Sequence, residues 1–234
     1  MKRRAFLASG AVAALAGCLG GGDSTNNQSS FVDDFETTTT NGYEIPLAPV
    51  ETTHEWYQND EARFADARGR TSYEASHVEG AVLSTAQSGF EGDPVAEWSK
   101  DTTIVAYCGC PHHLSSIRAS TLIEKGYENV AVIDEGFWTW YDRGYPVAGT
   151  DVQNRPASYE ISGQTDATYA GESAWAFHDP TGQREATPIE SDGSYSMELK
   201  FADVSADSPI RVTTPGYEVE YPLGDLTDGV VAGH

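Results

Sequence analysis

Two short runs constrain the fold most. Residues 102–107 (TTIVAY) and 129–133 (NVAVI) are β-branched and nearly continuous in apolar character. A strand of that kind is buried on both faces, which is the environment of a parallel sheet covered by helices. Between them, residues 115–125 begin at Ser115 and end just before Gly126, which are helix start and stop signals. Ile117, Leu122 and Ile123 supply the buried stripe. Residues 63–67 (RFADA) and 81–83 add strand candidates, and 137–143 reads as a short aromatic helix closed by Gly144. Strand–helix–strand alternation predicts an α/β domain over 46–150.

Beyond Arg155 the helical period disappears. Alternating runs at 168–178 and 195–201 are separated by the turn sequences Asp179-Pro180-Thr181-Gly182 and Ser191-Asp192-Gly193-Ser194. Five or six short strands predict a small all-β sandwich over 155–234. Trp175, Tyr195 and Tyr217 are expected in its core.

The N-terminus reads as an address. Residues 1–17 carry a basic start (Lys2, Arg3, Arg4), an apolar run too short to span a bilayer, and small residues before Cys18. Arg3-Arg4 followed by Phe6-Leu7 resembles a twin-arginine signal, and Leu15-Ala16-Gly17-Cys18 resembles a lipobox. The expectation is export and anchoring to the outer face of the cell membrane through a lipid on Cys18. Residues 18–45, rich in Gly, Ser, Thr and Asn, are expected to be a flexible linker, with Asn27 and the run 37–40 open to glycosylation.

The chain carries 36 acidic and 14 basic residues, a net charge of −22. Removing residues 1–17 would take three basic residues and no acidic ones, giving −25. No basic face is left to release counterions from nucleic acid, which excludes that partner class. The acids are dispersed, and self-repulsion of this size is relieved by salt. Acid excess with only four lysines resembles haloarchaeal proteins.

The chemistry concentrates at Cys108-Gly109-Cys110-Pro111-His112-His113-Leu114-Ser115. This loop leaves the C-terminal end of a buried strand and enters a helix, the edge where open α/β sheets bind ligands. Backbone N–H groups and the helix field should stabilise a thiolate at Cys108 and depress its pKa. Cys110 either resolves Cys108 or fills space. Cys108, Cys110, His112 and His113 carry metal-ligating atoms, but they crowd into six residues with no second cluster, and no metal or other cofactor is called for.

Several ordered motifs then resemble a rhodanese-like sulfurtransferase domain. Phe64-Ala65-Asp66-Ala67-Arg68 resembles the family's strand ending in Asp-x-Arg. Residues 73–81 (YEASHVEGA) resemble its E-Y-x-x-G-H-I-x-G-A block, with Ser72 for Glu and Ser76 for Gly. Tyr107-Cys108 stands where the family places its cysteine. Gly126-Tyr127, Glu135-Gly136-Phe137, Trp140 and Gly144-Tyr145-Pro146-Val147 complete the order, with Glu135 for the usual Gly. The resemblance implies a five-stranded parallel sheet flanked by helices, and sulfur transfer through a Cys108 persulfide. The partners would be a small sulfur donor and a thiol or cyanide-like acceptor. Residues 109–115 would cradle the substrate, and an ion pair of Asp66 with Arg68 would support the site. His77 reads as structural. The family's loop is rich in Arg, whereas this one has none before Arg118; His112 and His113 would supply charge only if protonated. A related phosphatase would need Arg at 114, where Leu stands. The competing class is a rhodanese fold kept for binding alone. If the twin-arginine reading holds, replacing Arg3-Arg4 with Lys-Lys retains precursor inside the cell, measured by fractionation and immunoblot.

Overall fold

The computed structural model describes residues 35–86 and 90–233. The signal, Cys18, Asn27 and most of the expected linker lie outside the described residues.

The first part runs β1 (Glu36–Thr40), β2 (Tyr43–Ala48), α1 (Val50–Gln58), β3 (Arg63–Asp66), α2 (Arg70–Ala75), β4 (His77–Val78), β5 (Val82–Leu83), β6 (Thr103–Tyr107), α3 (His113–Glu124), β7 (Asn129–Ile133), α4 (Phe137–Asp142) and β8 (Val147–Ala148). Its sheet has the order β1-β2-β7-β6-β3-β5. The five strands from β2 to β5 are mutually parallel, as expected. The sixth, β1, is antiparallel to β2.

That sixth strand corrects the linker expected to reach residue 45. Thr37–Thr40 is β-branched, and Asn41-Gly42 takes positive φ at both residues, 52° and 80°. This is the backbone a two-residue hairpin needs. The apolar pattern hides β1 because it is an edge strand with mostly exposed side chains.

The double burial of β6 and β7 follows their patterning. Ile104 and Ala106 face one core with Val130, Val132 and the α3 residues Ala119 and Leu122. Val105, Tyr107 and Ile133 face the other, with Val50 of α1 and Phe137, Trp138 and Trp140 of α4. Helix α3 begins at His113, two residues ahead of the expected Ser115. Gly126 stops it with φ +85°, donating to Ile123 O at 2.9 Å. Arg118 of α3 is fully buried beside Asp93, and Ser84 links the two: Arg118 Nε donates to Ser84 Oγ (2.8 Å), which donates to Asp93 Oδ2 (2.9 Å).

The second part comprises β9 (Tyr159–Gln164), β10 (Ser173–His178), β11 (Gln183–Pro188), β12 (Ser194–Leu199), β13 (Pro209–Thr214), β14 (Tyr217–Pro222), α5 (Leu223–Thr227) and β15 (Val230–Ala232). Two sheets, β11-β10-β13-β14 and β12-β9-β15, face each other. Ile161, Ala176, Tyr195, Leu199, Val212 and Leu226 fill the space between them. Seven strands stand where five or six were expected. The three-residue β15 is too short to register as alternation.

Tyr195 is core and Tyr217 packs on it, but Trp175 is a correction. It lies on the outer face of its sheet with its cross-strand neighbour Ala186, which belongs to the buried cluster of Cys108 and Leu114 that Trp175 packs against. The β domain is therefore seated on the α/β domain at the cysteine loop. Thr71 Oγ1 donating to Thr181 O (2.6 Å) and Ser72 Oγ donating to Gln183 Oε1 (3.3 Å) extend that contact.

Asp93 is buried and needs its cation, so Arg118→Leu should cost about 3–5 kcal/mol. Urea denaturation in high salt measures this as a lower midpoint at unchanged slope.

Candidate active site

Strand β6 delivers Cys108 to the sheet's C-terminal edge, and the turn into α4 braces the loop that follows. Phe137 N donates to Cys108 O at 2.8 Å. Gly136 has φ +78°, and a Cβ there would lie 2.5 Å from Cys110 O and 3.1 Å from Cys108 O. Only glycine allows this approach.

The Cys108 thiol donates to Cys110 O at 3.1 Å and lies 3.5 Å from Ser115 Oγ. Backbone N–H groups of Leu114 and Ser115 also point at the sulfur and favour thiolate. The helix field inferred from the sequence is real, but the depressed pKa is not. Burial pushes the Cys108 thiol up to about 12, and the nearby Glu185 carboxylate adds to the rise. Cys108 has no exposed surface because the β domain covers it. Desolvation disfavours the charged form more than the helix terminus stabilises it.

Cys110 is 3% exposed. Its thiol donates to Glu198 O at 3.2 Å and lies 3.8 Å from Glu198 Oε2. Burial, then Glu185, pushes its pKa well up. Both cysteines are free thiols.

Glu185 is a buried carboxyl of β11. Burial raises it from the ordinary 4.5 to about 7, opposed by hydrogen bonds from Ala186 N and Cys110 and by the charges of Lys200 and Arg68. Ala186 N donates to Glu185 Oε1 at 3.0 Å.

The histidines do not replace the missing arginines. Burial pushes His113 down to about 4, so it is neutral at pH 7. His112, with φ +29°, holds Asp134 Oδ1 at 3.0 Å. Pro111 is exposed, while Leu114 and Ser115 are buried at the start of α3.

Asp66 and Arg68 form the expected internal pair. Arg68 Nε donates to Asp66 Oδ1 (2.9 Å), and Nη2 donates to Asp66 Oδ2 and Ser76 O, both at 2.6 Å. The guanidinium carbon lies 4.2 Å from the centre of the Phe137 ring. His77 stacks on Tyr73 at 4.0 Å and holds Tyr73 O at 2.6 Å, a structural role.

The fold, the strand-end cysteine and the braced loop agree with one family model, that of the rhodanese-like domain, which matches residues 50–143. This segment is a rhodanese-like domain. The chain is similar in structure to a rhodanese-like domain from Anabaena sp., with 20% identity and TM-score 0.41 over 48% of this chain and 85% of that one. It is also similar to a Bacillus halodurans protein, with 18% identity and TM-score 0.40 over 45% and 77% of the two chains. A thiosulfate sulfurtransferase from Pseudomonas aeruginosa is similar at 22% identity and TM-score 0.40, over 45% of this chain and 20% of that one.

Glu185, Glu198, Trp175 and Lys200 were missed from the sequence. They reach the rhodanese-like domain's cysteines from far along the chain. No local signal marks them: residue 185 lies outside the expected alternating runs, and Glu198 sits among the polar positions of residues 195–201.

Glu185 gives a prediction with a definite sign. Its carboxylate disfavours the Cys108 thiolate, so Glu185→Gln should move iodoacetamide labelling of Cys108 to lower pH, followed by mass spectrometry. The raised carboxyl also stabilises the fold below about pH 4.5, and this contribution is lost as pH rises through about 7. The variant should therefore lose that part of the pH dependence of its denaturation midpoint.

Proposed function

We propose that this protein is a sulfurtransferase in which Cys108 carries sulfane sulfur as a persulfide. One observation carries the reading: the Cys108 sulfur sits at the end of β6 with the Leu114 and Ser115 N–H groups and the Ser115 hydroxyl directed at it. This is a nest for a negatively charged sulfur.

The thiolate attacks the outer sulfur of a donor such as thiosulfate. A new bond forms to Cys108, the donor's S–S bond breaks, and sulfite leaves with the electron pair. A thiolate or cyanide acceptor then attacks the outer persulfide sulfur, and Cys108 returns as thiolate. Covalent relay divides one transfer into two easier displacements.

In the seated arrangement the sulfur is closed off. The donor enters when the β11–β12 side of the β domain parts from the loop. The same movement removes the two causes of the high thiol pKa, burial and Glu185. Opening thus admits the donor, lets the proton leave to solvent and activates the nucleophile. Export and anchoring through Cys18 complete the proposal and place this chemistry at the outer surface of the cell.

The binding-module reading has its own support, because a buried thiol with a raised pKa is ordinarily inert. One experiment separates the two. The full chain in high salt is offered thiosulfate, polysulfide or a mercaptosulfonate persulfide and examined by mass spectrometry. The expected result is a one-sulfur adduct on Cys108, absent from Cys108→Ser. No adduct from any donor would leave the binding module.

A further inference from the structure

Between the two domains lies a cleft of about 280 Å³ that no residue of the cysteine loop lines. Its walls come from three places. Arg68 and Trp138 belong to the rhodanese-like domain, Asp151 and Pro156 to the connecting segment, and Phe201 and Asp203 to the β domain. We infer that this cleft binds a small zwitterion of the amino-acid class, carboxylate inward and ammonium outward, and that the bound molecule holds the domains seated over Cys108. The regulatory half rests on the sulfur-transfer reading, since what the ligand keeps closed is the way to that sulfur.

The inner end of the cleft offers N–H groups. Arg68 is 6% exposed and Trp138 is 5% exposed. Arg68 uses its backbone N–H, Nε and Nη2 on Asp66 and Ser76. Among the described residues its Nη1 has no hydrogen-bond partner, and neither has Trp138 Nε1. Neither atom is sealed from solvent. The cleft is the open space that both side chains line. Unpaired donors at such depth are costly, and a ligand carboxylate supplies their acceptors.

The outer end offers the opposite charge. Arg68, Arg155 and Lys200 line the cleft, but each already holds a carboxylate, Asp66, Asp142 and Glu198 in turn. The lining acids Asp151 and Asp203 are exposed, and among the described residues neither has a counter-ion. Asp151 Oδ1 accepts only the neutral amide of Asn154, at 2.6 Å. The charge left over at the mouth is therefore negative and suits an ammonium. A plain anion would meet these two carboxylates, and a plain amine would leave the inner N–H groups unmet. A molecule with both groups answers both ends, and Pro156, Phe201 and Val204 give its carbon chain an apolar wall.

A ligand in this position touches both domains at once. It binds the seated arrangement and loses half its contacts when the domains part. Mass action then favours the seated form, about tenfold at ten times Kd.

The test titrates the full chain calorimetrically in high-salt buffer with L-leucine and with 5-aminopentanoate, two zwitterions of different charge spacing. Pentanoate and pentylamine serve as controls that each lack one charge. Saturable binding of at least one zwitterion is expected, about tenfold tighter than either control, which is ~1.4 kcal/mol for one charged contact. Trp138→Phe should weaken the zwitterion and pentanoate alike. Asp203→Asn should weaken the zwitterion and leave pentanoate unchanged, and Asn tolerates the positive φ of 58° at this position. At ten times Kd the ligand should slow iodoacetamide labelling of Cys108 about tenfold. No saturable binding by either zwitterion, a control that binds as tightly, or affinity unchanged in both variants overturns the site. Binding that leaves Cys108 labelling unchanged overturns the holding of the domains. Saturable binding with slowed labelling, but no persulfide on wild-type Cys108 from any donor, would retire sulfur transfer and keep the zwitterion site.

Discussion

The site depends on one buried ion pair. Arg68 and Asp66 are both almost removed from water, and burying two charges costs several kcal/mol unless their hydrogen bonds are met. Here they are met in a way that ties separate pieces together. Asp66 closes β3, Ser76 O precedes β4, and the aromatic rings under the guanidinium belong to β6 and α4. A Cβ on Gly109 would meet the same side chain. The ends of β3 and β6, the cysteine loop and the turn into α4 are therefore registered on a single cation. The pair fixes the position of the loop while leaving one edge of the guanidinium uncommitted.

Around that pair the two domains pull the thiol in opposite directions. The rhodanese-like domain offers Cys108 a helix terminus and three hydrogen-bond donors, which favour negative charge. The β domain offers Trp175, Ala186 and Glu185, which oppose it. With the domains seated, burial prevails. Reactivity at Cys108 is thus a property of the interface and not of the loop alone.

Much of the first domain was legible because its signals are local. The doubly apolar runs at β6 and β7 predicted strands buried on both faces, and Gly126 marked the end of α3. The Asp66–Arg68 pair and the structural role of His77 came from ordered motifs that span only a few residues each. What could not be read was whatever depends on the β domain's docking. The direction of the Cys108 pKa was wrong because the helix field is visible in sequence and the strand covering it is not. Trp175 was placed in the wrong layer because alternation tells that a side chain is on one face, not which face is inside. β1 was lost because a polar edge strand lacks an apolar period, although Asn41-Gly42 marked its turn.

β11 ends one sheet of the sandwich and β12 ends the other, and both border the cysteine loop. A strand at a sheet's end carries unsatisfied backbone groups and invites pairing with another chain. Cys110 donates to the Glu198 carbonyl on one of these ends, and Thr71, Ser72 and Leu114 lie against the other. The rhodanese-like domain thereby covers both ends, with α2 at β11 and the loop proposed to carry sulfur at β12. The proposed opening that frees the thiol would unmask those ends as well, so access to the sulfur and exposure of the strand edges are one and the same movement.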